Sequence, residues 1–183
     1  KKDASRWLYR IYQCFLKGNS AMSEMEKLTH IDAYEIQKYQ QNRYPLLFVD
    51  EIEEAVPGES AKGYKNFTYN EWFFPAHFAD EPNVPGFVQI EALTQVFLMT
   101  FLTLPAYKGK KTGFIEVKSR FRRKIVPGNR LDIEAELHYF RRGLAKGISR
   151  GFVGGAPACE AELCSGRDDR VSSCGQKVSV AVR

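Results

Sequence analysis

The chain has no cysteine or histidine spacing on which a metal site or a disulfide framework could be built. Its four cysteines, Cys14, Cys159, Cys164 and Cys174, include no Cys-x-x-Cys pair. Cys159 and Cys164 are an odd number of residues apart, so on one strand they would point to opposite faces and could not bond each other. No structural metal and no cofactor is expected, and the cysteines read as reduced thiols of a cytoplasmic protein. Also missing is an uninterrupted apolar run of membrane length. The longest, Phe87–Leu104, carries Gln89, Glu91 and Gln95 in its first half. Each would be costly against lipid, so a core helix is expected and no transmembrane segment. Internal repeats and low-complexity stretches are absent as well.

Charge of one sign is scarce where it would count. The net charge is +5, but residues 1–21 hold five Lys/Arg against one Asp, and residues 168–183 hold three against two. That leaves 19 of each sign between 22 and 167. Basicity confined to the ends is no footprint for nucleic acid, and none is expected as a partner. With 44% hydrophobic and 27% charged residues, 183 residues suffice for one soluble domain with a sizeable core.

What is present falls into three parts. Residues 1–28 form a basic amphipathic extension, with Trp7, Leu8, Ile11, Tyr12, Phe15 and Leu16 at helical spacing. It reads as a docking helix, a targeting remnant or non-native sequence. Residues 29–167 read as one folded domain, and 168–183 as a last edge strand or a tail. Within the domain the spacing predicts a short helix over 32–41, then strands over 46–55 and 59–68 around a Pro57-Gly58 turn. A long helix follows from Pro85, a favourable first-turn residue, to Leu104. Four strands come after it, over 113–125, 130–140, 144–153 and 158–164, with turns at Pro127-Gly128-Asn129 and Arg142-Gly143. A helix apolar on nearly all sides must be covered nearly all round, so the class is α+β, an antiparallel sheet wrapped around one central helix.

The stretch from Phe74 to Gln95 carries the chemistry. It sets His77 in a short proline-bounded loop, then a Pro85-Gly86 step, then an apolar helix containing Glu91. A carboxylate in such a helix must be paired or working, because burying an unpaired charge costs several kcal/mol. Phe87, Val88 and Ile90 should push its carboxyl to hold a proton, whereas an imidazole needs little adjustment to act as a base. Gln95, four residues on and on the same helix face, is placed either to orient the Glu91 carboxyl or to bond a loop carbonyl. His30 and His138 have no such context and read as surface or packing residues.

The same residues carry a resemblance. In order they are Glu35-Ile36-Gln37, Arg43-Tyr44-Pro45, Val49-Asp50, Asn70-Glu71, Phe73-Phe74, His77-Phe78, Pro82, Pro85-Gly86, Glu91-Ala92-Leu93 and Gln95. Later come Phe121-Arg122-Arg123, Val126-Pro127-Gly128 and Cys159-Glu160-Ala161-Glu162-Leu163. In this order and spacing, from about Ile31 to Arg167, the chain resembles the hotdog-fold beta-hydroxyacyl-[acyl-carrier-protein] dehydratases of type II fatty acid synthesis, the FabZ-type enzymes. The resemblance implies loss of water from a (3R)-3-hydroxyacyl thioester to give the trans-2-enoyl product. His77 matches the catalytic histidine and Glu91 the catalytic carboxylate. Gly86 matches the glycine whose N–H faces the thioester carbonyl, where a helix N-terminus suits a developing negative charge. Phe78, Val84 and Gln95 complete the expected substrate-binding set. The implied partner is acyl carrier protein with its phosphopantetheine arm. The implied assembly is a homodimer in which His77 and Glu91 of one site come from different subunits, with a trimer of dimers as the larger alternative.

Two departures fall in the histidine loop. The family commonly has His-Phe-Pro-Gly where this chain has His77-Phe78-Ala79-Asp80, and an apolar pair where it has Asn83-Val84. They bear on loop shape and substrate range more than on reaction type. Because the helix carboxylate is glutamate rather than aspartate, no double-bond isomerisation is expected. Hotdog folds also host acyl-thioester hydrolases and non-catalytic acyl-binding subunits, which remain the alternatives. Finally, Lys118, Arg120, Arg122, Arg123 and Lys124 place five positive charges in seven residues. They are the expected landing site for the acidic carrier, with Lys118, Arg120 and Arg122 on one strand face. The competing expectation is a solvated face whose arginines pair with Glu134 or Glu136 across the sheet.

Overall fold

The computed structural model describes residues 26–167. The amphipathic helix expected before residue 26 and the edge strand or tail expected after 167 lie outside the described residues. The elements run β1 (Leu28–Asp32), α1 (Ala33–Ile36), β2 (Glu51–Val56), β3 (Ser60–Asn66), α2 (Gly86–Leu102), β4 (Thr112–Phe121), β5 (Arg130–Arg141), β6 (Leu144–Val153) and β7 (Ala156–Arg167). A single 3-10 turn, Phe74–Ala76, stands between β3 and α2. All pairings are antiparallel, in the order β1-β2-β3-β5-β6-β7-β4. The sheet packs on α2 through β2, β3, β5, β6 and β7, which is the hotdog arrangement expected above.

Thirteen of the seventeen residues of α2 are buried, so the helix is enclosed rather than amphipathic. Phe97 and Phe101 pack edge to face at 6.0 Å and are fully buried. Each contributes about 1.5–3 kcal/mol of apolar burial. The close approach of helix to sheet depends on small residues in β6. A Cβ on Gly147 would fall 2.6 Å from Phe97, and one on Gly151 would fall 3.4 Å from Leu93. In the β5–β6 hairpin, Arg142 and Gly143 both take positive φ (53° and 78°), the primed turn that matches strand twist.

Several boundaries differ from the expectation, each for a local reason. β1 was unforeseen because only Ile31 of its five residues is buried. The helix expected over 32–41 shrinks to one turn. Asp32 caps it by accepting the N–H groups of Tyr34 and Glu35, and Arg43 then takes the carbonyls of Gln37, Gln40 and Asn42. β2 starts at Glu51 rather than residue 46, because the Gln95 side chain binds the backbone of Leu46, Phe48 and Val49. Pro85 is the cap of α2, with extended φ and ψ, rather than a residue of its first turn. β4 ends at Phe121, four residues short of the expected Ile125, and β7 is longer than expected at both ends.

Candidate active site

The histidine loop is closed by its own backbone. Phe78 and Glu81 exchange N–H to carbonyl bonds, Asn83 N–H donates to His77 O (2.9 Å), and Val84 N–H donates to Ile125 O (2.8 Å). Only main-chain atoms of Asn83 and Val84 make these two contacts. The departures at 83–84 therefore leave the loop closure intact. The side chain of His77 is then fixed by one more bond, Nδ1 to Asn83 O at 3.0 Å. A carbonyl can only accept, so Nδ1 is the donor, and in the neutral ring the lone pair belongs to Nε2. Phe78 is half-exposed and stacks on the imidazole at 4.5 Å. Val84 is buried, and its carbonyl accepts from Gln89 Nε2 at 3.0 Å.

Pro85 turns the chain into α2. The N–H groups of Gly86 and Phe87 bond no other described residue, as the first turn of a helix dictates. They are the partly positive end of a 17-residue helix. A Cβ at Gly86 would lie 3.0 Å from Phe121 Cζ, so the half-exposed Phe121 ring sits directly against this backbone. Trp72 and Phe87, both about half-exposed, lie 6.4 Å apart beside it.

One turn further on, Glu91 is half-buried rather than sealed in the apolar shell expected from Phe87, Val88 and Ile90; Phe87 points outwards. Its Oε1 accepts from Gln95 Nε2 (2.8 Å) and from Asn42 Nδ2 (2.9 Å). Burial holds the carboxyl above the ordinary carboxylate range, while these two bonds act in the opposite direction. Gln95 satisfies both roles that were open for it. It donates to Glu91 and to Leu46 O (2.6 Å), and its Oε1 accepts from Phe48 N–H (2.9 Å) and Val49 N–H (3.3 Å). Four bonds exhaust the capacity of a primary amide, so its orientation is locked. Nothing in the sequence marks Asn42: it directly precedes the Arg-Tyr-Pro motif and carries no spacing relation to Glu91, 49 residues away.

Within the chain no hydrogen bond or ring contact joins His77 to Glu91 among the described residues. His30 and His138 are exposed and contact Glu51 and Glu136, away from both. Cys159 is a buried thiol pushed up to about 12 by desolvation and so is unreactive. No cluster that could hold a metal ion is found among the described residues.

The basic run is split by the end of β4. Lys118 and Arg120 are exposed on the strand, whereas Arg122, Arg123 and Lys124 follow it. The expected pairing with Glu134 or Glu136 does not occur, because β4 lies next to β7 and not β5. Lys118 faces Glu162 (3.7 Å) and Arg122 faces Glu160 (2.7 Å), while Glu134 and Glu136 bond Lys62 and Arg150. Lys124 pairs with Glu81 in the histidine loop. Arg120 and Arg123 have no ion-pair partner among the described residues.

Comparison with known proteins adds a family. The model of the FabA-like domain family matches residues 41–162. The chain is 44% identical over 130 residues to the 3-hydroxyacyl-[acyl-carrier-protein] dehydratase FabZ of Clostridium novyi, covering 70% of this chain and 92% of that protein. It is 44% identical over 134 residues to the corresponding enzyme of Desulforamulus reducens, covering 73% and 94%. For that of Ligilactobacillus salivarius the identity is 40% over 134 residues, covering 73% and 96%. Among solved structures, the dehydratase heterocomplex ApeI:P of Xenorhabdus doucetiae matches with a TM-score of 0.65. It covers 77% of this chain and 97% of that one at 11% identity, a likeness of fold alone.

Proposed function

Because this chain belongs to the FabA-like domain family, with FabZ dehydratases as curated relatives over most of its length, we propose that it removes water from (3R)-3-hydroxyacyl thioesters carried on acyl carrier protein, giving the trans-2-enoyl thioester in fatty acid or related lipid synthesis. The observation that carries this reading is the opposite setting of two proton carriers. His77 is held through Nδ1 by Asn83 O, which leaves Nε2 as the basic nitrogen of the neutral ring, and burial raises the hold of the Glu91 carboxyl on its proton.

In the forward direction His77 Nε2 takes the C2 proton. The electron pair left behind is shared with the thioester oxygen, which sits against the Gly86 N–H and the positive end of α2. As the C2–C3 double bond forms, the C3–O bond breaks and Glu91 gives its proton to the departing hydroxyl, which leaves as water. The turnover ends with His77 protonated and Glu91 ionised, and proton exchange with solvent resets both.

Two copies build each site in this proposal, as the resemblance implies, with His77 and Glu91 of one site coming from different subunits. β4 ends the strand order, so its outer edge is open to a second copy, and it runs to Phe121 at the Gly86 backbone. The unit is a homodimer, alone or as a trimer of dimers. The carrier docks on the positive surface that includes Arg120 and Arg123, and its arm delivers the acyl group past Gly86. Reduced thiols without disulfide or metal spacing support a cytoplasmic setting. No helix of the described residues is long and apolar enough to cross a membrane.

The test is product analysis. Purified protein incubated with 3-hydroxyacyl thioesters of several lengths should form the enoyl product without releasing free thiol. Thiol release without enoyl formation would show a hydrolase and overturn the reading.

A further inference from the structure

The two hydrogen bonds to Glu91 converge on one oxygen, and this has a chemical consequence. Asn42 Nδ2 and Gln95 Nε2 are both primary amide donors, and both are directed at Oε1. An oxygen that accepts two N–H groups in a protonated carboxyl is the carbonyl oxygen, so the hydroxyl is the other one, Oε2. Gln95 cannot turn away, because its remaining donor and both acceptor positions are bonded to backbone.

Asn42 is held almost as firmly, from outside. The guanidinium of Arg43 donates to the carbonyls of Gln37 (3.0 Å), Gln40 (2.9 Å) and Asn42 itself (2.8 Å), which freezes the loop that presents the amide. The buried Gln40 side chain ties the same loop to the helix by donating to Gln95 O at 3.1 Å. The loop, the amide and the helix thus form one connected unit around Oε1.

We propose that Asn42 is a positioning residue for the dehydration: with Gln95 it captures Oε1 of Glu91, so that the acid proton rests on Oε2 and faces the departing hydroxyl. The inference rests on Glu91 being the acid of the proposed function. Without Asn42, Oε1 keeps one anchor, the carboxyl rotates about its terminal bond, and the proton is shared between the two oxygens.

The groups facing Glu91 determine what a titration would read. From α2 there is Gln95 and from the 37–46 loop Asn42, both uncharged. Arg43 on that loop spends its charge on carbonyls, while Tyr44 and Lys111 line the groove outside. No charged side chain contributes to the Glu91 shift among the described residues. In the assembled dimer the imidazole of His77 from a second copy joins them.

The variant Asn42→Leu keeps bulk and removes the donor. Its pH profile of kcat/KM on a soluble 3-hydroxyacyl thioester is compared with wild type and with Glu91→Gln. Asn42 bonds the ionised carboxyl at least as well as the neutral one, so its loss should move the limb that Glu91 sets, the one missing from the residual Glu91→Gln profile, up by about one pH unit. Turnover near neutrality should fall roughly tenfold through misalignment. A filler of the fold would lower activity without moving the limb, and a limb unmoved from wild type overturns the proposal. Asn42→Ala repeats the measurement with a side chain too small to clash, should the leucine variant fold poorly. Near-wild-type activity of Glu91→Gln would instead overturn the assignment of Glu91, a separate failure.

Discussion

Replacing Gln95 by leucine tests whether one side chain holds the site and the fold together. The amide is fully buried and accepts the N–H groups of Phe48 and Val49, which are themselves buried. In the leucine variant both lose their partner at nearly constant volume. An unpaired buried N–H costs about 1–3 kcal/mol, and the longer Val49 bond at 3.3 Å belongs at the low end. Leu46 is half-exposed, so its carbonyl can turn to water and adds little. The gain from burying a more apolar side chain returns about 1 kcal/mol. The net loss is about 1–3 kcal/mol, roughly 3–10 °C in Tm for a domain of this size. Thr100→Val is the internal control. Thr100 is just as buried in the same helix, but its hydroxyl donates to Phe97 O, an acceptor placed for the ordinary helix bond as well. Its loss should cost less than about 1 kcal/mol. Urea denaturation followed by circular dichroism, at matched protein concentration, separates the two. A Gln95→Leu protein within about 0.5 kcal/mol of wild type would refute the reasoning.

The remaining expectations concern charge and chemistry. The folded protein binds the Glu91 proton more tightly than the unfolded chain, because burial raises its carboxyl from the ordinary 4.5. That contribution is complete below the ordinary value and is lost as pH rises through the folded one, so Glu91→Gln should flatten the decline of stability with pH. Denaturation series at about pH 5 and about pH 8 check this, and an unchanged difference would contradict it. Gly86→Pro, made in a Phe121→Ala background so that the added ring does not press on Phe121 and compared with that background, deletes a single N–H at a first-turn position, where proline is tolerated, and Pro85 already has the extended geometry that a following proline requires. The helix should persist while kcat falls roughly 10²–10³-fold, as for loss of one oxyanion donor; turnover close to that of the background would remove Gly86 from the site. Reversing Arg120 and Arg123 to Glu breaks no ion pair among the described residues, so it should raise KM for carrier-bound substrate several-fold and spare a short soluble thioester. Equal loss on both substrates would assign these arginines a structural role.

The enclosing sheet and central helix were legible because the apolar run over 87–104 has no polar face, and such a helix admits few other settings. The later strands were legible from alternation and from Arg142-Gly143, whose backbone needs suit a primed turn. Boundaries near the site were harder for a shared reason: they are set by side chains bonding distant backbone. Gln95 holds the backbone of 46–49 away from the sheet, and Arg43 ends the first helical turn, neither of which leaves a trace in local spacing. Asn42 was hidden for the same reason. The acidic partners of the basic run were misassigned because strand order, not sequence order, brings β7 beside β4. His77 and Glu91 were singled out from the burial cost of a carboxylate and from motif order.

The proposed site is assembled from two copies, with His77 as base and Glu91 as acid. The direct test unfolds His77→Ala and Glu91→Gln together, refolds the mixture and measures enoyl formation against each variant alone. Random pairing makes half the dimers hybrids, and one of the two sites in each hybrid holds both intact residues. Activity should therefore return to roughly a quarter of wild type, far above either parent. A mixture as inactive as its parents, with subunit exchange demonstrated by mass, would show that each site is built within one chain.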